Sequence, residues 1–426
     1  MSTLSIVSGR LIDPGHGVDE LTDIHIQAGH IHAIGPQPRG FEAEYCIDAS
    51  GLLVLPGLVD LSFHLGDGSL AQALDTEGRV ALAGGITSVC LRPDQATILD
   101  RPETVDQLLA AARRHSALRI HPIGALTLEL AGERLTEAAA LQAAGCCALS
   151  QGRRPLPDCV RLRAALEYAA SFDLPVFLHP KEATLSHNAV AHEGAMAIRL
   201  GLPCSPAAAE SIAVAQIAEL ARLTGASVHL SALSAARSLT VLGLLTADHA
   251  LSITADCAIH QLYLTQDGLA GFAVDHRLDP PARAAADRDS LQEGIAHGLL
   301  DALCSDHCPI AEQFKRMPFA QAAPGIISAE LLLPLTWMLA GQLGLPFKQL
   351  LALLTSQPAR IARLEQGHLG IGAPADLCLF DPALTWTVHP EVLHSKSCCT
   401  PFLGSTVQGK VMATFVAGQE VYRSPQ

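Results

Sequence analysis

The stretch Leu53-Val54-Leu55-Pro56-Gly57-Leu58-Val59-Asp60-Leu61-Ser62-Phe63-His64 decides how this chain is read. It is apolar for most of its length and ends in polar residues. That is the pattern of a buried strand running out to an open end. Residues two apart in a strand point to the same side, so Asp60, Ser62 and His64 share a face. His64 is a candidate metal ligand. Ser62 is a poor one, because a hydroxyl binds a zinc-type ion weakly beside imidazole or carboxylate.

Outward from this stretch, residues 57–365 alternate short apolar strands with helical segments. Strand candidates lie at 53–61, 87–91, 119–125, 148–150, 175–179, 227–230, 251–255 and 302–305. Helical stretches such as 104–115, 157–172 and 210–224 lie between them. The alternation implies a parallel sheet. Eight units predict an α/β fold, a closed (β/α)8 TIM-type barrel. Residues 1–56 and 366–426 read differently, as short strands and turns. Ile24, Ile26, Ile31 and Ile34 flank a hairpin signal at Ala28-Gly29-His30, and 375–382 and 407–419 are strand-like. They predict one small composite β domain built from both termini, forming a single cooperative unit with the barrel.

The chain has 426 residues, is 49% hydrophobic and has a mean hydropathy of +0.29. That suits buried parallel strands. Only 16% of residues are charged, which points to a small free surface and an oligomer. The net charge of −14, with no basic block, argues against a nucleic-acid partner. No charged n-region followed by an apolar h-region opens the chain. No uncharged run reaches the ~18 residues of a membrane span. The apolar segment 326–345 is interrupted by Glu330, Pro334 and Gln342. Twelve scattered cysteines without a Cys-x-x-Cys pattern read as reduced thiols of a cytoplasmic protein.

Barrel active sites sit at the C-terminal ends of the strands. Four strand ends carry potential ligands: His64, His179, His229 and Asp306. Each alone is more often structural. Together they are the convergent groups that a divalent ion such as Zn2+ needs. Asp306 would then serve as ligand and as general base. His260 reads as a hydrogen-bonding group, and Asp256 and His307 as outer partners of the ligands. In Arg277-Leu278-Asp279-Pro280-Pro281-Ala282-Arg283 a rigid turn could hold a guanidinium against a carboxylate. Equally, its arginines could pair with nearby aspartates in an exposed loop.

At these residues the chain resembles dihydroorotases, the cyclic amidohydrolases that interconvert N-carbamoyl-aspartate and dihydroorotate in pyrimidine synthesis. The likeness covers nearly the whole length. It rests on Pro56-Gly57-Leu58-Val59-Asp60, Ala83-Gly84-Gly85-Ile86-Thr87-Ser88, His192-Glu193-Gly194-Ala195, Pro280-Pro281-x-Arg283, Ser305-Asp306-His307-Cys308-Pro309 and Gly372-x-x-Ala375-Asp376-Leu377. The resemblance implies the amidohydrolase barrel with its composite β domain. It makes Arg283 and His260 substrate-contact candidates.

The departures from the family pattern are as specific. Its first strand-one histidine is Ser62, and the arginine after His-Leu is Gly66. The asparagine after strand two is Asp94, and Gln151 stands in Ser150-Gln151-Gly152-Arg153 where a metal carboxylate is expected. The pattern is similar to that of the catalytically silent dihydroorotase-like chains that accompany aspartate transcarbamoylase in some bacteria. That likeness implies a scaffold role and the aspartate transcarbamoylase catalytic chain as partner. Two other readings follow from the same residues. One is an active dihydroorotase with a reduced single-metal site. The other is a cyclic amidohydrolase of less acidic substrates.

Overall fold

The computed structural model describes residues 3–246 and 251–425. Eight strands form one sheet in which neighbours run parallel: Leu58–Phe63, Ile86–Leu91, Arg119–Ala125, Ala148–Ser150, Val176–Leu178, Val228–Leu230, Ile253–Ala258 and Ala302–Cys304. The sheet curls on itself. The first and eighth strands meet where Phe63 bridges to His307, their rings stacked 4.7 Å apart. The His64 N–H adds a 2.9 Å bond to the His307 carbonyl. This is the expected barrel, and its strands are apolar and buried as parallel strands covered on both sides must be. The helices between them include Pro102–His115, with proline in its first turn, and Ala208–Thr224, ended by Gly225 at φ 70°.

One expected element divides. Residues 53–61 are two strands that belong to different sheets. Leu53–Pro56 pairs antiparallel with Leu377–Phe380 in the β domain, whereas Leu58–Phe63 pairs with Ile86–Leu91 in the barrel. The change occurs at Gly57, whose N–H is bonded to the Asp376 carbonyl at 2.9 Å. A Cβ at Gly57 would overlap the side chain of Thr87. The close approach of first and second barrel strands requires glycine there.

The β domain has two sheets. Six strands run in the order Gln419–Arg423, Thr406–Val416, Leu377–Thr387, Leu53–Pro56, Arg10–Asp13, Val18–Leu21. Four more run His30–Ile34, Ile24–Gln27, Thr3–Val7, Tyr45–Asp48. The predicted hairpin at Ala28-Gly29 is present, with both residues at positive φ. Strand alternation joins domain and barrel. Leu377, Leu379 and Val54 face the core between the two sheets. Their neighbours Cys378, Phe380, Leu53 and Leu55 face the core shared with barrel helices, including Leu82, Leu335 and Leu339. The shared sheet is therefore buried on both faces. The apolar segment 326–345 contains the helix Leu332–Leu343 packed in that core. Among the described residues no helix is long and apolar enough to cross a membrane.

Candidate functional site

The C-terminal mouth of the barrel centres on Asp306, just past the eighth strand. Its φ of 51° lies in the left-handed region that few non-glycine residues adopt, a local strain typical of sites held by their surroundings. The carboxylate is buried. Its Oδ1 accepts from Ser62 Oγ at 3.0 Å, from Arg92 at 3.1 Å, and from the Arg153 guanidinium. Burial alone would raise the Asp306 pKa, but Arg153 and Arg92 outweigh it and hold the carboxyl below its ordinary value. Arg92 also reaches Asp94 at 3.2 Å, and Arg153 reaches His179 Nδ1 at 3.1 Å.

The histidines are engaged one by one. His64 Nδ1 accepts from the Gly66 N–H at 2.9 Å, which leaves the proton on Nε2, and Nε2 donates to the Asp94 carbonyl at 2.8 Å. His229 is held on both sides, by Thr254 Oγ1 at 2.9 Å on Nδ1 and by Asp256 at 2.9 Å on Nε2. His179 Nδ1 lies 3.1 Å from the Ser231 carbonyl as well as against Arg153. Burial, reinforced by Arg153, pushes the His179 pKa down to about 4, so the ring is neutral. His260 is also pushed down to about 4 by burial, and its Nδ1 has no partner.

The sequence places His64, His179, His229 and Asp306 at the mouth, and the fold does bring them there. It does not make them a ligand set. Among the described residues no three His, Cys, Asp or Glu side chains are arranged to hold a metal ion. The reason lies in the donors. Both nitrogens of His64 and of His229 are already hydrogen-bonded, and two guanidiniums hold one oxygen of Asp306 and supply the positive charge there. The residues present do not fit a zinc ion, which takes at least three free protein ligands. Gln151 in turn is buried, bonded to Thr127 at 3.0 Å through its carbonyl oxygen. A cavity of about 120 Å³ beside the mouth is lined by Gln151, His179, Lys181 and Glu182, without Asp306.

Arg283 is engaged within the protein. It is 5% exposed and turned inward, donating to Glu210 at 3.2 Å and to Ser234 Oγ at 2.9 Å. The Pro-Pro turn does present a guanidinium to a carboxylate, but that carboxylate is the protein's own. His260 is buried and close enough to Asp306 to feel its charge. Of the outer partners, Asp256 does support His229. His307 serves the seam, donating from Nε2 to Glu77 at 2.9 Å while Nδ1 accepts from the Ser328 N–H at 3.3 Å.

The two residues that dominate the centre, Arg92 and Arg153, carried no role in the sequence reading. The available signal was their place, each just past a barrel strand and beside a position where the family pattern is broken.

An eight-stranded barrel with a composite β domain, and imidazoles and an aspartate at its C-terminal mouth, is the frame of an amidohydrolase. The family model of dihydro-orotase-like proteins matches residues 51–238, and that of the amidohydrolase family matches 162–422. A dihydroorotase-like protein of Pseudomonas putida is 40% identical over 420 residues, 98% of each chain. One of Pseudomonas aeruginosa is 41% identical over the same length, also covering 98% of each. A dihydroorotase of Syntrophotalea carbinolica is 36% identical over 420 residues, 98% of each chain. Among solved structures, the L-hydantoinase of Arthrobacter aurescens superposes with a TM-score of 0.89 at 21% identity, covering 100% of this chain and 97% of that one. The chain belongs to the dihydroorotase-like family of amidohydrolases.

Proposed function

We propose that this chain is a catalytically silent member of its family in pyrimidine biosynthesis. In this reading it serves as a structural subunit in a complex with the aspartate transcarbamoylase catalytic chain. The observation that carries the silent reading is the state of Asp306. A general base works best with a pKa near the operating pH. Here Ser62, Arg92 and Arg153 all hold one oxygen of Asp306, and the two guanidiniums keep the carboxyl below its ordinary value, which makes it a poor proton acceptor. A missing general base costs roughly 10²- to 10⁴-fold in rate. Loss of a metal-held water would add to that, and so would loss of the arginine at Gly66.

The 36% identity to proteins named dihydroorotase favours the competing reading, an active hydrolase. That reading needs Arg153 to leave Asp306 and His64 to release its backbone bonds before any ion could enter. The scaffold role is supported by the intact barrel and shared core around a disabled centre. Mixing the purified chain with the transcarbamoylase catalytic chain and measuring mass by light scattering tests the partnership. A stable mixed species is expected. Two separately eluting proteins would overturn the scaffold role.

A further inference from the structure

The mouth of the barrel keeps a buried carboxylate, Asp306, and such a group demands a cation. We propose that Arg153 is the resident cation of this centre, its guanidinium replacing a divalent metal ion, so that the barrel keeps its shape and stability metal-free. Three observations carry this. Arg153 bridges Asp306 and His179, groups from the eighth and fifth strand ends that are far apart in the chain. A bridge between strand ends is the structural service of a metal, and a planar fork of donors can perform it. Second, the charges close. Arg92 and Arg153 face Asp306 and Asp94, two cations against two carboxylates. A divalent ion in place of Arg153 would leave one positive charge uncompensated in a buried site. Third, Gln151, the neutral residue where a ligand carboxylate is expected, stands two positions before Arg153. One short loop has lost an anion and placed a cation.

The proposal stands whether or not the chain joins a larger assembly. Its test is zinc content by elemental analysis, with thermal midpoints by circular dichroism in EDTA and in added ZnCl2. The same measurements are made on Arg153→Ala, Asp306→Asn and the double variant. Substoichiometric zinc and an unmoved midpoint are expected for the natural chain. Arg153→Ala should lower the midpoint by several degrees, because it leaves Asp306 buried with weakened compensation. Adding Asp306→Asn should recover most of that loss, since an amide needs no cation. Stoichiometric zinc with a lower midpoint in EDTA would overturn the proposal. So would an Arg153→Ala chain as stable as the natural one, or a double variant no better than the single. If Arg153→Ala does not fold, a folded double variant supports the proposal and an unfolded one contradicts it.

Discussion

At the scale of single residues, this site shows how a side chain's chemistry is set by its partners. His64, His179, His229 and Asp306 were legible in the sequence because apolar strands end at them. What they do was not legible, because their partners come from other strands and the loops after them, and only folding brings them together. Thr254 and Asp256 reach His229, and Arg92 and Arg153 reach Asp306. Arg283 makes the same point, since its fixed turn predicts a clamp but not which carboxylate it holds. Replacing it with alanine would strand Glu210, fully buried, without its cation. Loss of one partner of a buried pair costs about 3–5 kcal/mol, so Arg283→Ala should show that loss in chemical denaturation. A change within the ~0.5 kcal/mol usual for surface substitutions would refute the assignment.

Histidines also set the pH response. His121 and His260 are each pushed down to about 4 by burial, with Arg119 adding to the effect at His121. The unfolded chain takes up protons on them near the ordinary histidine value of about 6.5, while the folded chain does not until about 4. Their contribution is therefore complete above that upper value and is lost as pH falls through the window. The half-buried His394 works in the opposite sense. Its bond to Glu330 at 2.7 Å raises its pKa, and its contribution is lost as pH rises past that value. His179, also pushed down to about 4 by burial, acts in the same sense as His121 and His260, and the three together outweigh Asp60, which burial raises to about 6 and which gains stability as pH falls. Thermal midpoints are expected to fall between pH 6.5 and 4, and a midpoint that climbs in this range would contradict the assignment.

Among elements, the division at Gly57 is the most telling. An unbroken apolar run reads as one strand, because periodicity carries no sign of which sheet a residue joins. The glycine was visible and its meaning was not, since the obstacle is Thr87 on the neighbouring strand. Gly57→Ala should force the first and second barrel strands apart, at a cost of about 1–3 kcal/mol for overpacking. Urea denaturation would measure it. An unchanged midpoint would show that the strands have room. The other barrel strands were found within a few residues because parallel strands buried on both sides are continuously apolar, a pattern that survives without knowledge of partners.

For the whole molecule, barrel and β domain share one sheet with two buried faces. Leu377 and Leu379 serve one core, Cys378 and Phe380 the other. Arg119 of the third barrel strand is also paired with Asp376 at 3.0 Å, beside the β-domain strand Leu377–Thr387. A chain cut after residue 365 would expose Leu53, Leu55 and the helix face that packs on them. It is expected to be insoluble or to lack a cooperative transition. A soluble truncated chain with a sharp thermal transition would show the barrel to be independent.

In this amidohydrolase frame Asp306 is held by Arg92 and Arg153, and the proposed silence of the site rests on that pairing. The most direct measurement is dihydroorotase turnover in both directions, made on the purified chain beside an Asp306→Ala control. No turnover above the control is expected, with or without added zinc. Turnover in the natural chain that Asp306→Ala abolishes would contradict it.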